Sequence, residues 1–93
     1  MFNQVLQQIQ EKIRQRQYVM TLHAEEEMTD DDLPIFDIES IVLTGEILER
    51  QKDRNTGEWK YRIKGLTIEN DEAEVIVKLG LTGKVVIITV YLC

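Results

Sequence analysis

The spacing of apolar residues changes near the middle of this 93-residue chain, and the change limits the possible folds more than any other feature. In the first half, apolar residues recur at the spacing of helices that bury one side. In the second half they alternate with polar residues, as Trp59, Tyr61 and Ile63 do, which is typical of strands with one buried face. This order predicts an α+β fold in which N-terminal helices pack on one face of a four-stranded, mainly antiparallel sheet.

The first half predicts three helices and one short extended segment. An amphipathic helix over residues 1–16 follows from apolar positions at helical spacing, which are Phe2, Val5, Leu6, Ile9 and Ile13. An extended segment at 18–22 leads into a Glu-rich helix that begins near His23. We expect residues 29–32 to end that helix and to cap the next one, which has Pro34 in its first turn and ends at Gly45 in a left-handed conformation.

The second half predicts two hairpins. Strands over 46–53 and 58–68 flank residues 54–57, whose Asn and Gly tolerate the positive φ of a tight turn. Strands over 74–81 and 84–92 flank a Thr-Gly turn. The apolar run 85–88 lacks alternation, which predicts a central strand that is covered on both faces, or on one face with a partner chain on the other.

Composition and charge limit the function classes. We expect one domain over residues 1–93. The formal net charge of −6 opposes approach to a nucleic-acid backbone and is compatible with a basic protein partner. No apolar run is long enough to span a bilayer, and the Gln-rich start lacks the pattern of a signal peptide. Cys93 is the single cysteine, so an internal disulfide is excluded and we expect a cytoplasmic protein.

Several short motifs, taken together and in order, resemble a known family. They are Thr21-Leu22-His23-Ala24, Met28, Thr44-Gly45-Glu46-Ile47, Tyr61-Arg62-Ile63-Lys64-Gly65 and Val86-Ile87-Ile88-Thr89-Val90-Tyr91. Over about residues 18–92 this set resembles the domain-of-unknown-function family 4258, whose members are small bacterial proteins. The resemblance implies a helix-then-sheet order similar to that of RelE-like ribonuclease toxins and of barnase- and colicin-type folds.

The chain departs from the family pattern beside its histidine. In the family an Arg usually precedes the Met of this motif, and a second Arg follows shortly after it. Here Glu27 stands at the first of these positions, and residues 29–32 offer carboxylates where the second is expected. A phosphate group would therefore meet carboxylates here in place of guanidinium groups.

Three residues are tentative catalytic candidates: His23, Arg62 and Tyr91. Histidine is the side chain that most readily exchanges protons near neutral pH, so His23 is a candidate general acid or base. The alternative is a structural histidine that ties the extended segment to the following helix. The usual nucleophiles do not complete a catalytic set, because Cys93 is terminal and Ser40 is expected in the middle of a helix.

The predicted third strand carries the candidate binding residues. Lys60, Arg62 and Lys64 form a basic row, and the preceding strand adds three cations that we expect beside it, Arg50, Lys52 and Arg54. Such a row suits a polyanion, because sheet geometry places the cations within reach of successive phosphates. The alternative is a solvated sheet face that keeps the hairpin in solution, with Glu46, Glu49 and Glu58 nearby to offset the charge.

Thr89 is a further candidate binding residue. Thr89 and Tyr91 are expected on one face of the last strand together with Val85 and Ile87, where two hydroxyl groups would line a shallow pocket. The alternative is a tyrosine whose ring fills the core while its hydroxyl group finds a single hydrogen-bond partner.

The acidic runs at 25–27 and 30–32 do not match a metal-binding pattern. They lack the Gly and the distal Glu of a calcium loop, and no second His is available for a transition metal. Acidic residues at a helix start are explained by capping and by the helix dipole. We therefore expect neither a metal nor another cofactor.

Two functions remain open at this point. The first is a non-catalytic interaction or accessory protein that binds a protein partner or associates with itself through an apolar sheet face or edge. The second is a metal-independent RelE-like ribonuclease that uses His23 with Arg62, Lys60 or Tyr91. The acidic charge and the incomplete catalytic set favour the first, and the family resemblance favours the second.

Overall fold

A computed structural model describes residues 2–93, which form three helices and five strands. The helices are α1 (Asn3–Arg14), α2 (Leu22–Asp30) and α3 (Ile35–Thr44). The strands are β1 (Tyr18–Met20), β2 (Glu46–Lys52), β3 (Trp59–Leu66), β4 (Glu72–Leu79) and β5 (Val85–Leu92). The mixed α+β class and both predicted hairpins are confirmed.

The sheet has five strands where the sequence predicts four. Their order is β1-β5-β4-β3-β2, and the added strand is β1, which pairs in parallel with β5. The other neighbours are antiparallel. The prediction is wrong in strand number because a three-residue strand is too short to show a period of its own, and its partner lies at the other end of the chain.

The core lies where side chains of the helices meet side chains on one face of the strands. The buried helix residues include Ile9, Ile13, Ala24, Ile38, Ile41 and Val42. The buried strand residues include Tyr61, Ile63, Val75, Val77, Val85, Ile87 and Val90. We call this the core face of the sheet. The opposite face is the ionic face, which carries Lys60, Arg62, Lys64, Glu74 and Lys78.

Two glycines allow α3 to pack closely against β3. A Cβ atom on Gly65 would lie 2.0 Å from the Ile41 carbonyl oxygen, and one on Gly45 would lie 2.5 Å from the same oxygen. The predicted left-handed conformation of Gly45 is wrong, because its φ is −94° and its ψ is 178°. Glycine is required at this position because two backbones approach too closely for a Cβ atom, and not because φ is positive.

The helix and turn boundaries differ from the predictions only locally. Thr29 and Asp30 belong to α2, and Pro34 is the N-cap of α3, where no side-chain hydrogen bond caps the helix. In the β2–β3 turn the Asp53 carboxylate accepts hydrogen bonds from two following backbone N–H groups, and Gly57 has a φ of 74°. This turn chemistry is what makes the first hairpin predictable from sequence.

Two β-bulges determine which face several side chains occupy. The register of β2 against β3 shifts at Leu48, and that of β5 against β4 shifts at Ile88. Each bulge inserts one residue, which moves every later side chain of that strand to the other face. The candidate binding residues on β2 and β5 are affected by these shifts.

Candidate functional site

The basic row of β3 lies on the ionic face, and each of its cations has a carboxylate partner. The Lys60 ammonium group is 4.0 Å from Asp53, and the Lys64 ammonium group is 3.4 Å from Glu72. On β4, Lys78 makes a 3.0 Å contact with Glu58. The charge of this face is thus largely neutralised within the chain, so these cations do not form the unpaired row that a polyanion would need.

Arg62 is the centre of the ionic face. Its Nε donates to Glu49 on β2 at 3.0 Å, and its Nη1 donates to Glu74 on β4 at 2.8 Å. The antiparallel register places β3 between these two strands, so one guanidinium group joins three strands. The two carboxylates raise the pKa of Arg62 further above its ordinary value, with the hydrogen bond to Glu74 as the main cause.

Glu74 connects Arg62 to the end of the last strand. The Tyr91 hydroxyl group donates to the same Glu74 oxygen as Arg62 does, and the Cys93 thiol lies 3.7 Å from the other oxygen. Burial acts to raise the pKa of Glu74, but the hydrogen bonds from Tyr91 and Arg62 outweigh it and hold that pKa below its ordinary value. Glu74 is therefore an ionised acceptor at neutral pH.

The same contacts make Tyr91 and Cys93 poor proton donors to a substrate. The hydrogen bond to the Glu74 carboxylate, followed by burial, raises the pKa of Tyr91. Burial, followed by the Glu74 charge, raises the pKa of the Cys93 thiol. Both groups therefore stay protonated at neutral pH and belong to the hydrogen-bond network around Glu74.

The bulge at Ile88 corrects the predicted face of Thr89 and Tyr91. Val85 and Ile87 are buried on the core face, whereas Thr89 pairs with Ile76 and lies on the ionic face. Arg62 pairs with Ile76 from the other side, so Thr89 lies two strands from Arg62 across one apolar side chain. The structure therefore places Thr89 and Tyr91 on the same face as the basic row.

His23 lies on α2, and its side chain is 65% exposed. Its Nε2 is 3.2 Å from Glu27, whose carboxylate also accepts a hydrogen bond from the Val90 backbone N–H. The junction between β1 and α2 is joined by Thr21, whose hydroxyl group donates to the Ile88 carbonyl and accepts from the Ala24 N–H. The hydrogen bonds that join α2 to β5 therefore come from Thr21 and Glu27, and not from His23.

Two of the three tentative catalytic residues meet, and the third does not join them. Arg62 and Tyr91 share the Glu74 carboxylate. Within residues 2–93, His23 makes no hydrogen bond or ion pair to Arg62 or to Tyr91. The arrangement can hold charges in fixed positions, but it does not place an exposed imidazole next to a free guanidinium group.

Sequence reasoning missed Glu74, the carboxylate that Arg62 and Tyr91 share, and gave Glu49 only as a nearby residue that offsets the charge of the basic row. Glu74 alternates with the buried residues Ala73 and Val75, and this pattern is a signal for a side chain on the opposite face. Its pairing with Arg62 depends on the register of β3 against β4, which the turn between them does not reveal. For Glu49 the bulge at Leu48 hides the pairing as well.

A second group of cations lies on the core side of β2. The predicted neighbours of the basic row, Arg50 and Lys52, pair in register with Tyr61 and Trp59, so the bulge has moved them to the face opposite Arg62. The Arg50 guanidinium carbon is 4.1 Å from the centroid of the Trp59 ring and 6.0 Å from that of Phe2. This end of the hairpin thus combines exposed cations with aromatic rings.

Across residues 2–93, no cluster of three or more His, Cys, Asp or Glu side chains is arranged to hold a metal ion. In the same part of the chain no helix combines the length and apolar character needed to cross a membrane.

Comparison with known proteins identifies the family. Searches of curated proteins and of solved structures found no match to this chain. A family model described as a domain of unknown function, DUF4258, matches residues 20–92. This match confirms the resemblance inferred from the motifs; it begins at the last residue of β1 and covers α2, α3 and the four remaining strands. The chain therefore belongs to the DUF4258 family.

Proposed function

We propose that this chain is a non-catalytic interaction domain that acts in the cytoplasm by binding a protein partner. One observation carries the proposal: Arg62, which belongs to both the candidate catalytic set and the basic row, is held between Glu49 and Glu74. A phosphate that approached the remaining N–H groups of this guanidinium would be repelled by both carboxylates unless it displaced them. Displacing the carboxylates breaks two charge-assisted hydrogen bonds, and this loss offsets the hydrogen bonds that the phosphate gains.

The proton chemistry also favours a non-catalytic role. General acid–base catalysis is most effective when a group exchanges protons near the working pH. Contacts with Glu74 move the pKa values of Tyr91 and Arg62 upward, away from neutrality, and that of Glu74 moves downward. The ionic face therefore holds protons in place and does not transfer them.

A RelE-like ribonuclease is the second candidate, and one contact favours it. Arg62 and Tyr91 meet at Glu74, so a phosphate-binding group and a hydroxyl group are near each other. For this function His23 would have to act on the same RNA from α2, although within residues 2–93 it makes no hydrogen bond or ion pair to Arg62 or Tyr91. The two functions therefore differ in whether His23 is required for an activity.

Incubation of the purified protein with total RNA in the presence of a chelator separates the two functions. We expect no cleavage by the wild type, by His23→Ala or by Tyr91→Phe. The matched control is Glu26→Gln, which changes an exposed neighbour of His23 on the same helix. Cleavage by the wild type and by Glu26→Gln that is lost in His23→Ala would contradict the interaction function and establish the ribonuclease.

A further inference from the structure

Three of the six Lys and Arg side chains that make no ion pair within residues 2–93 lie together in the β2–β3 hairpin, and the other three, Lys12, Arg16 and Lys84, lie elsewhere. Within residues 2–93, Arg50, Lys52 and Arg54 make no ion pair with a carboxylate, whereas all three cations of the basic row do. Arg50, Lys52 and Arg54 are also exposed. Since the chain carries a net charge of −6, a local group of free cations here is a distinct binding feature.

The Trp59 ring limits the positions that the Arg50 side chain can adopt. Its guanidinium carbon stacks 4.1 Å from the Trp59 centroid, and the Lys52 ammonium nitrogen is 6.0 Å from the same ring. Stacking covers a flat side of the guanidinium group and leaves its N–H edges free. Those edges match the two oxygens of a carboxylate, and the fixed position lowers the entropy lost on binding.

The backbone beside these cations is also free on one side. β2 is the last strand in the sheet order and pairs only with β3. Half of its backbone N–H and C=O groups therefore point away from the sheet and can accept an added strand. Beyond the bulge at Leu48, the stretch from Glu49 to Lys52 keeps a regular register with β3 and offers a continuous edge.

We infer that this edge of β2 binds an extended acidic segment of a partner protein, an inference that rests on the proposed interaction function. Arg50 and Lys52 project on one face, and Glu49 and Gln51 on the other. An added strand would therefore place acidic side chains beside Arg50 and Lys52, and neutral side chains beside Glu49. The expected partner sequence alternates acidic and neutral residues.

Charge selects this partner over a second copy of the chain and over nucleic acid. A second copy would bring Glu46 and Glu49 to this edge as well as Arg50 and Lys52, so its charges match these cations less well than those of an acidic segment do. A nucleic acid would need a longer track of cations than one hairpin supplies, and the net charge of −6 would repel its remaining phosphates. A short acidic peptide needs only the local cations and the strand edge.

Titration with a synthetic peptide in which glutamate alternates with threonine tests the inference. Trp59 is the only tryptophan of the chain, so its fluorescence should change as the peptide binds. By calorimetry, Arg50→Gln should weaken binding by at least about fivefold through the loss of charge-assisted hydrogen bonds. The matched control Arg16→Gln removes an exposed arginine elsewhere and should alter affinity by less than about twofold.

Three peptide controls separate the parts of the inference. Replacing glutamate by lysine should abolish binding, and methylating alternate backbone nitrogens on the edge-pairing side should weaken it by at least about tenfold, because a methylated edge cannot complete the ladder. Equal loss of affinity in Arg50→Gln and Arg16→Gln would contradict the site. Undiminished binding of the methylated peptide would contradict strand addition.

Two further outcomes would replace the acidic partner by another one. Binding of a uridine oligonucleotide, but not of the acidic peptide, that is lost in Arg50→Gln would assign the hairpin to nucleic acid. A dimer in light scattering under reducing conditions that is lost in Arg50→Gln would assign it to self-association. Neither outcome depends on RNA cleavage, so failure of this inference is distinct from failure of the proposed function.

Discussion

Alternate residues of β3 face two different environments. On the core face, Tyr61 and Ile63 are buried and Gly65 contacts the backbone of α3. On the ionic face, Arg62 lies between two carboxylates and is flanked by lysines that have carboxylate partners of their own. The first face is constrained by volume and the second by charge pairing. We therefore expect the core face to tolerate little change in side-chain size. On the ionic face we expect the loss of an ion pair to cost more stability where the pair is more buried.

The largest effect is expected at Gly65 on the core face. Gly65→Ala would place a Cβ atom 2.0 Å from the Ile41 carbonyl oxygen, so α3 would have to move away from β3. We expect the free energy of unfolding to fall by more than about 4 kcal/mol, measured by urea denaturation.

Gly57→Ala is the control for the change of residue type. An added Cβ at Gly57 meets nothing within 4 Å, but the φ of 74° remains costly, so a loss of only about 1–2 kcal/mol is expected. Equal losses at Gly57 and Gly65 would show that volume does not limit the core face.

An intermediate effect is expected at Glu74 on the ionic face. Glu74→Gln removes the charge that Arg62 and Tyr91 contact, and should lower the free energy of unfolding by about 1–2 kcal/mol at neutral pH. Because folding lowers the pKa of Glu74 from its ordinary value of 4.5, its contribution is present above that pH and is lost as the pH falls through the folded value.

Urea denaturation at neutral and at acidic pH measures this contribution. Glu74→Gln should be closest to the wild type in the acidic series, where the wild-type carboxylate is itself becoming protonated. The matched control is Glu72→Gln on the same strand, whose partner Lys64 is more exposed than Arg62, so a smaller loss is expected. An equal loss in both variants would show that the burial of an ion pair on the ionic face does not determine how much it stabilises the fold.

The smallest effect is expected at Lys64. Its ammonium group is 3.4 Å from Glu72, and the two side chains are 37% and 63% exposed. Lys64→Gln should change the free energy of unfolding by less than about 0.5 kcal/mol, because exposed ion pairs contribute little. A larger loss in thermal or urea unfolding would show that the basic row stabilises the sheet as a unit and would weaken the contrast between the two faces.

Much of the fold was predictable because its signals are local. The apolar stripe of α1 and the turn residues of both hairpins depend on neighbours in sequence. β1 was not predictable as part of the sheet, because three residues show no period and their partner is β5 at the far end of the chain. The bulges at Leu48 and Ile88 were missed for the same reason, since they exist only relative to a partner strand.

For the candidate site, the sequence predicts which residues take part but not how far apart they lie or which partners they contact. Alternation on β3 correctly put Lys60, Arg62 and Lys64 on one face. The carboxylates that pair with them come from other strands and from a turn, so their distances depend on strand register. One-residue shifts at the two bulges are enough to bring Tyr91 to Arg62 and to move Arg50 away from it.

The fold class, the two hairpins and the family follow from the amino-acid sequence alone, because periodicity, turn residues and short motifs depend on neighbouring positions. Which charges are paired and which are free depends on the three-dimensional arrangement of the strands. Pairing depends on distances of a few ångströms between residues far apart in the chain, and such distances are set by packing and strand register. Lys and Arg side chains are therefore paired with carboxylates around Arg62, whereas those around Arg50 have no carboxylate partner within residues 2–93.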